Sequence, residues 1–142
     1  MPKKIPKKIL IIDDDPNMIE TLTKWLIVSG RNVISALNAD AGLKMAHEEL
    51  PDLILSDLLM PGIDGVQLTK KLKECNATKD IPIIFTTVAM GVEMDKGNET
   101  INIDGCLYRV FAKPLHDPKL LSEIRKSINR RIHGGKSIAP GS

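Results

Sequence analysis

Short apolar segments alternate along the chain with segments in which apolar residues recur every three or four positions. The first kind predicts buried strands, and the second predicts helices with one apolar face. Helix starts are indicated by Pro16 and Pro118, and helix ends by Gly30 and Pro51. The predicted strands cover 8–12, 32–37, 53–56, 81–85 and 107–112, and the predicted helices cover 16–29, 38–50, 66–72 and 117–133.

Residues 89–104 follow neither pattern clearly. They contain two glycines, scattered charges and an incomplete helical stripe that ends in Ile101 and Ile103. We expect a short or irregular helix in this stretch.

The alternation of strands and helices predicts an α/β fold in which helices cover both faces of a parallel sheet. Five strands give a doubly wound, five-stranded sheet. We expect one domain over 7–133, preceded by a basic tail over 1–6 and followed by a flexible tail over 134–142.

Composition excludes several classes of protein. The chain of 142 residues has no apolar run long enough to span a membrane, and its basic N-terminus is not followed by the apolar stretch of a secretory signal. Cys75 and Cys106 lack metal-site spacing and fit free thiols, so we expect a cytoplasmic protein. The basic ends lack interleaved aromatic residues, so no direct binding to nucleic acid is expected.

Polar side chains follow the predicted strands at the points where these end. They are Asp13, Asp14, Asp57, Thr87 and Lys113. In an open parallel sheet, ligands bind beyond the carboxyl ends of the strands. If the first and third strands are neighbours, three carboxylates meet in one pocket, and Mg²⁺ would offset their repulsion. A hydroxyl and an ammonium group beside them suit phosphoryl transfer to a carboxylate.

Four motifs in this order make the chain resemble the receiver domain of two-component response regulators, of the chemotaxis-regulator type. The matching segments are ILIIDDDP at 9–16, PDLILSDLLMPGIDG at 51–65, IPIIFTT at 81–87 and KP at 113–114. The resemblance covers about residues 7–130. It implies a flavodoxin-like fold with strand order 2-1-3-4-5.

The resemblance also implies the role of each site residue. Asp57 would accept a phosphoryl group, Thr87 would donate a hydrogen bond to it, and Lys113 would contact it as a cation. Mg²⁺ would be held by Asp14, by Asp57, by the backbone carbonyl of Leu59 and, mainly through water, by Asp13.

As a receiver, the chain would not be an enzyme. It would take its phosphoryl group from a histidine kinase or a histidine phosphotransfer protein. It would then act on a downstream protein or on an output domain outside this sequence. No membrane partner is expected.

Two positions depart from the family pattern. Val88 follows Thr87, where the family usually has Ala or Gly, and its bulk is expected to prolong the life of the phosphoryl group. Val110 occupies the position of the aromatic switch residue, while Tyr108 and Phe111 stand nearby but out of register.

Two other functions are compatible with the residues. One is an interaction module of receiver fold that does not use phosphate, which the departures at Val88 and Val110 would favour. The other is an aspartyl-phosphate phosphatase of the haloacid dehalogenase type. Its nucleophile would belong to the first strand, but the threonine expected after that acidic run is missing here.

Overall fold

A computed structural model describes residues 7–88, 100–113 and 118–134. Within them the chain forms six strands and four helices. The strands are β1 (Lys8–Ile12), β2 (Asn32–Ala36), β3 (Leu53–Asp57), β4 (Ile83–Val88), β5 (Thr100–Ile103) and β6 (Cys106–Lys113). The helices are α1 (Pro16–Val28), α2 (Ala39–Glu49), α3 (Gly65–Lys73) and α4 (Pro118–Gly134). The last helix ends one residue beyond the expected domain boundary at 133.

All strands belong to one sheet with the order β2-β1-β3-β4-β6-β5. The pairings among β2, β1, β3, β4 and β6 are parallel, and β5 pairs antiparallel with β6. The predicted α/β fold is therefore confirmed, and β6 is the predicted fifth strand at its expected place. The expectation of five strands was wrong, because β5 adds an antiparallel strand at the edge.

The additional strand forms a hairpin with β6, where part of an irregular helix was expected. Asp104 and Gly105 make a two-residue turn with φ values of 52° and 88°, and the Asn102 Oδ1 accepts a hydrogen bond from the Gly105 N–H at 3.0 Å. An Asp-Gly pair is a strong hairpin signal because both positions tolerate a positive φ. The helical interpretation overlooked this signal; residues 89–99 lie outside the described part.

Each face of the sheet carries its own apolar layer, because side chains alternate between the faces along each strand. One layer packs α2 and α3 against residues such as Leu10, Ile54 and Phe85. The other packs α1 and α4 against residues such as Ile11 and Leu55. Because helices cover both faces of the sheet, we look for a ligand site at the carboxyl ends of the central strands.

Side-chain caps set where three helices begin. Asp15, Asn38 and Asp64 each accept a hydrogen bond from a backbone N–H in the first turn of α1, α2 and α3. Such caps satisfy N–H groups that the helix cannot pair internally. They direct the chain away from the sheet directly after β1, β2 and the loop that follows β3.

Candidate functional site

The end of β1 contributes two adjacent carboxylates with different surroundings. Asp13 is buried, and its Oδ1 accepts a hydrogen bond from the Asp15 N–H at 2.9 Å. Its own N–H donates to the Ala36 carbonyl oxygen at 3.1 Å, which continues the pairing with β2. Asp14 is exposed. The first carboxylate therefore also shapes the turn into α1, whereas the second is open to solvent.

The end of β3 contributes the third carboxylate. Asp57 is 5% exposed and lies opposite Thr86 of β4. Its Oδ1 accepts a hydrogen bond from the Leu59 N–H at 3.3 Å. The Leu59 side chain is exposed, so its apolar character does not obstruct a role for its backbone. Asp57 is thus a buried carboxylate whose orientation is fixed through one oxygen.

The three carboxylates meet as expected from the sequence. One oxygen each from Asp13, Asp14 and Asp57 lies within 4.8 Å of the other two. Such a cluster of hard oxygen donors fits Mg²⁺, which is bound by one or two carboxylates and keeps several waters. Parallel pairing of β1 with β3 brings the strand ends together: Ile12 is in register with Ser56, the residue before Asp57.

The loop between Asp57 and α3 passes very close to the sheet. A Cβ atom on Gly65 would lie 2.9 Å from Phe85 Cε1 and 3.0 Å from both the Asp57 carbonyl oxygen and Leu58 Cα. The Gly65 N–H donates to the Leu58 carbonyl oxygen at 2.9 Å. Only glycine fits this approach without a shift of the backbone.

Thr87 lies at the end of β4, at the same edge of the sheet as the carboxylates. It is buried, and it follows Thr86, the residue opposite Asp57. In β6 its register partner is Ala112. Its position fits the hydroxyl donor expected beside Asp57.

The remaining predicted site residue lies partly outside the described part. Lys113 is the last residue of β6, and its backbone is in register with Val88. Its strand therefore ends at the edge that carries the carboxylates. The side chains of Lys113 and Val88 lie outside the described residues, and so does Pro114.

Val110, at the expected aromatic position, is a buried core residue opposite Phe85. The ring of Tyr108 instead packs edge-on against Phe85, with 5.8 Å between the ring centroids and an interplanar angle of 73°. The sequence interpretation named Tyr108 but missed Phe85. Knowledge of the strand register, which pairs Phe85 with Val110, would have indicated that Phe85 supplies the aromatic ring at this place.

Two titratable groups with shifted pKa values, Tyr108 and Lys73, lie close together at the β5–β6 hairpin. Burial, assisted by Cys106 and Asp104, raises the pKa of Tyr108 to about 12. Burial also lowers the pKa of Lys73, against the opposing effects of Cys106 and Asp80. The Lys73 Nζ lies 5.8 Å from the centroid of the Tyr108 ring.

Comparison with known proteins identifies many relatives. A family model described as the response regulator receiver domain matches residues 9–125. Protein PilH of Pseudomonas aeruginosa is 40% identical over 130 residues, covering 89% of this chain and 98% of PilH. A crystal structure described as that of a response regulator from Chloroflexus aurantiacus superposes with a TM-score of 0.74 at 29% identity, covering 89% of this chain and 100% of that one.

Other relatives are much longer than the shared region. The response regulator PleD of Caulobacter vibrioides is 30% identical over 118 residues, which cover 83% of this chain and 25% of PleD. The chain thus spans nearly all of one relative and a quarter of another. Among residues 7–88, 100–113 and 118–134, no helix is both long enough and apolar enough to cross a membrane.

Proposed function

The chain belongs to the response regulator receiver domains, which are phosphorylation-controlled signalling switches, and from this premise we propose that Asp57 is its phosphoacceptor. The single observation that carries the assignment is the meeting of Asp13, Asp14 and Asp57 within 4.8 Å at the ends of β1 and β3. Of the three, Asp57 is the one at the end of the central β3, with Thr86 and Thr87 beside it.

Asp14, Asp57 and the Leu59 carbonyl would hold Mg²⁺ directly, and Asp13 would act mainly through water. When bound, the ion neutralises negative charge on the carboxylates and on the incoming phosphoryl group. The Leu59 N–H fixes the orientation of the Asp57 carboxylate through Oδ1, and a carboxylate oxygen of Asp57 attacks phosphorus. The bond from the donor histidine nitrogen to phosphorus breaks as the bond from Asp57 to phosphorus forms.

Thr87 and Lys113 would receive the transferred group. The threonine hydroxyl donates to a phosphoryl oxygen, and the lysine ammonium neutralises the charge that remains. Their strands end beside β3 in the order β3, β4, β6, which supports this arrangement. Both groups would be drawn toward Asp57, since phosphorylation adds charge and acceptor oxygens there.

The donor would be a histidine kinase or a histidine phosphotransfer protein, and the recipient of the signal a downstream protein or an output domain. Receiver domains are generally signalling domains rather than enzymes, and we assign no turnover of small substrates to this chain. Cys75 and Cys106 are not bridged to each other, which suits a reducing cytoplasm. The family relationship favours neither a phosphate-independent module nor an aspartyl-phosphate phosphatase.

Intact-mass spectrometry after incubation with acetyl phosphate and Mg²⁺ tests the acceptor. The wild-type chain should gain one phosphoryl group, and Asp57→Asn should gain none, because an amide oxygen is too weak a nucleophile. Asp64→Asn is the matched control: it makes the same change at the far end of the loop that follows Asp57, at the N-cap of α3. Equal labelling of Asp57→Asn and the wild type would overturn the assignment.

A further inference from the structure

Phe85 is a fully buried ring that lies directly behind the candidate phosphoacceptor loop. It sits on β4, two residues before Thr87, and faces the layer formed by α2 and α3. Its Cε1 approaches Gly65, where an added Cβ would be only 2.9 Å away. The same added Cβ would lie 3.0 Å from the Asp57 carbonyl oxygen and from Leu58 Cα, and the Gly65 N–H closes the loop by donating to the Leu58 carbonyl oxygen. The ring therefore lies so close to the residue that closes the loop that no side chain fits between them.

The ring of Phe85 also packs against Tyr108. The two rings meet edge to face at 5.8 Å, the arrangement that aromatic quadrupoles favour. Tyr108 belongs to the β5–β6 hairpin, where it is paired with Ile101. Phe85 thus lies close to Gly65 of the site loop and packs against Tyr108 of the hairpin.

Helix α3 connects the same two rings at its ends. Its first residue, Gly65, lies so close to Phe85 that an added Cβ would not fit, and its last, Lys73, places Nζ 5.8 Å from the Tyr108 ring centroid. The Lys73 Nζ also donates a 2.6 Å hydrogen bond to the Lys79 carbonyl oxygen, so the ammonium is anchored. A shift of either ring changes packing at one end of α3.

We propose that Phe85, oriented by Tyr108, is a positioning residue for the loop from Asp57 to Gly65, and that it couples the carboxylate site to the β5–β6 hairpin. This inference rests on the proposed function, because it names how that site is regulated. Ligand binding at the carboxylates and packing of the hairpin then influence each other reciprocally.

Mg²⁺ alone, titrated calorimetrically, is the probe. The variants are Phe85→Leu, Tyr108→Leu and the double variant. Each single variant should weaken Mg²⁺ binding by on the order of three- to tenfold, because the loop loses the surface behind it. The double variant should lose no more than the larger single effect, since both changes remove the same contact.

Two controls separate positioning from general loss of stability. Tyr108→Phe keeps the ring and removes the hydroxyl, so it should bind Mg²⁺ as the wild type does. Phe111→Leu also removes an aromatic ring. Phe111 lies in the same strand as Tyr108, β6, but on the face covered by α1 and α4. It should lower the melting temperature without weakening Mg²⁺ binding. Phe85→Met replaces Phe85→Leu if that variant does not fold.

Additive losses in the double variant, or equal weakening by Phe111→Leu, would overturn the coupling. So would an absence of Mg²⁺ binding by the wild type. These outcomes differ from failure of the proposed function, in which a wild-type chain that binds Mg²⁺ gains no phosphoryl group, or Asp57→Asn gains as much as the wild type. A wild type that is labelled at Asp57, with variants that bind Mg²⁺ normally, would reject the ring contact alone.

Discussion

Two regions of the sheet are built by different kinds of contact. One is the end of the strands that carries Asp13, Asp14 and Asp57, called here the carboxylate edge. The other is the lateral edge formed by the β5–β6 hairpin, called here the hairpin edge. At the carboxylate edge, Asp14 and Asp57 are far apart in sequence and meet because β1 and β3 pair in parallel. At the other edge, β5 and β6 are neighbours in sequence and are joined by the two-residue turn at Asp104 and Gly105. The first edge depends on the whole topology, and the second on one local turn.

This difference decides what a change at each edge affects. The carboxylate cluster concentrates like charge, which is unfavourable until a cation binds, so changes there alter ligand affinity. The hairpin edge contains a turn with positive φ and a buried ring, so changes there alter folding stability, and they affect the carboxylates only when they alter the packing of Tyr108 on Phe85. Phe85 packs against Tyr108 on one side and leaves no room for a Cβ on Gly65. Three predictions test this division.

The largest effect is expected at the carboxylate edge. Asp14→Ala should weaken Mg²⁺ binding by more than about tenfold, because an exposed carboxylate that contacts the ion is lost. Asp13→Ala should weaken it less, since this side chain acts mainly through water. Calorimetric titration of both variants with Mg²⁺ measures the difference.

Asp13→Asn is the control for the structural part of the Asp13 effect. It keeps an oxygen that can accept the hydrogen bond from the Asp15 N–H, which shapes the turn into α1. If Asp14→Ala binds Mg²⁺ as tightly as the wild type, the assignment of Asp14 as a direct ligand is wrong.

The sequence was more informative about the carboxylate edge than about the hairpin. Asp13, Asp14 and Asp57 each follow a run of apolar residues, and the rule for parallel sheets brings such strand ends together. Thr100–Ile103 was mistaken for helix because Ile101 and Ile103 were read as part of a longer stripe with incomplete helical spacing. The close approach of Phe85 to Gly65 was beyond prediction, since it depends on a tertiary distance that no periodicity encodes.

The second prediction compares two glycines with positive φ, one at each edge. Gly62 has φ 79° and Gly105 has φ 88°, and an added Cβ would meet no atom within 4 Å at either. Alanine at each should therefore cost a similar free energy of unfolding, about 1 kcal/mol, from backbone strain alone. Only Gly62→Ala should also weaken Mg²⁺ binding, because Gly62 lies in the loop between Asp57 and α3.

Chemical denaturation and Mg²⁺ titration of the two variants give this comparison. Asp104→Gly serves as control within the hairpin, because it relieves a positive φ of 52° at the same turn and should not destabilise the protein. Equal Mg²⁺ affinities for Gly62→Ala and Gly105→Ala would show that the division between the edges is false.

The smallest effect concerns the phenol of Tyr108 at alkaline pH. Burial raises its pKa to about 12 in the folded protein, whereas an unfolded tyrosine ionises near its usual value of 10. The stabilisation is fully present below pH 10 and is lost as pH rises through 12, because the unfolded chain releases its proton first. At pH 10.5 part of this stabilisation should already be lost. Tyr108→Phe keeps the ring and has no proton to release, so its free energy of unfolding should fall less than that of the wild type between pH 9 and 10.5. Urea unfolding of both proteins across this range measures the two free energies. Because the lysines titrate in both proteins, the difference between the two reports the phenol alone. Parallel curves would show that the Tyr108 hydroxyl is solvated in the folded protein and that its ionisation does not affect stability.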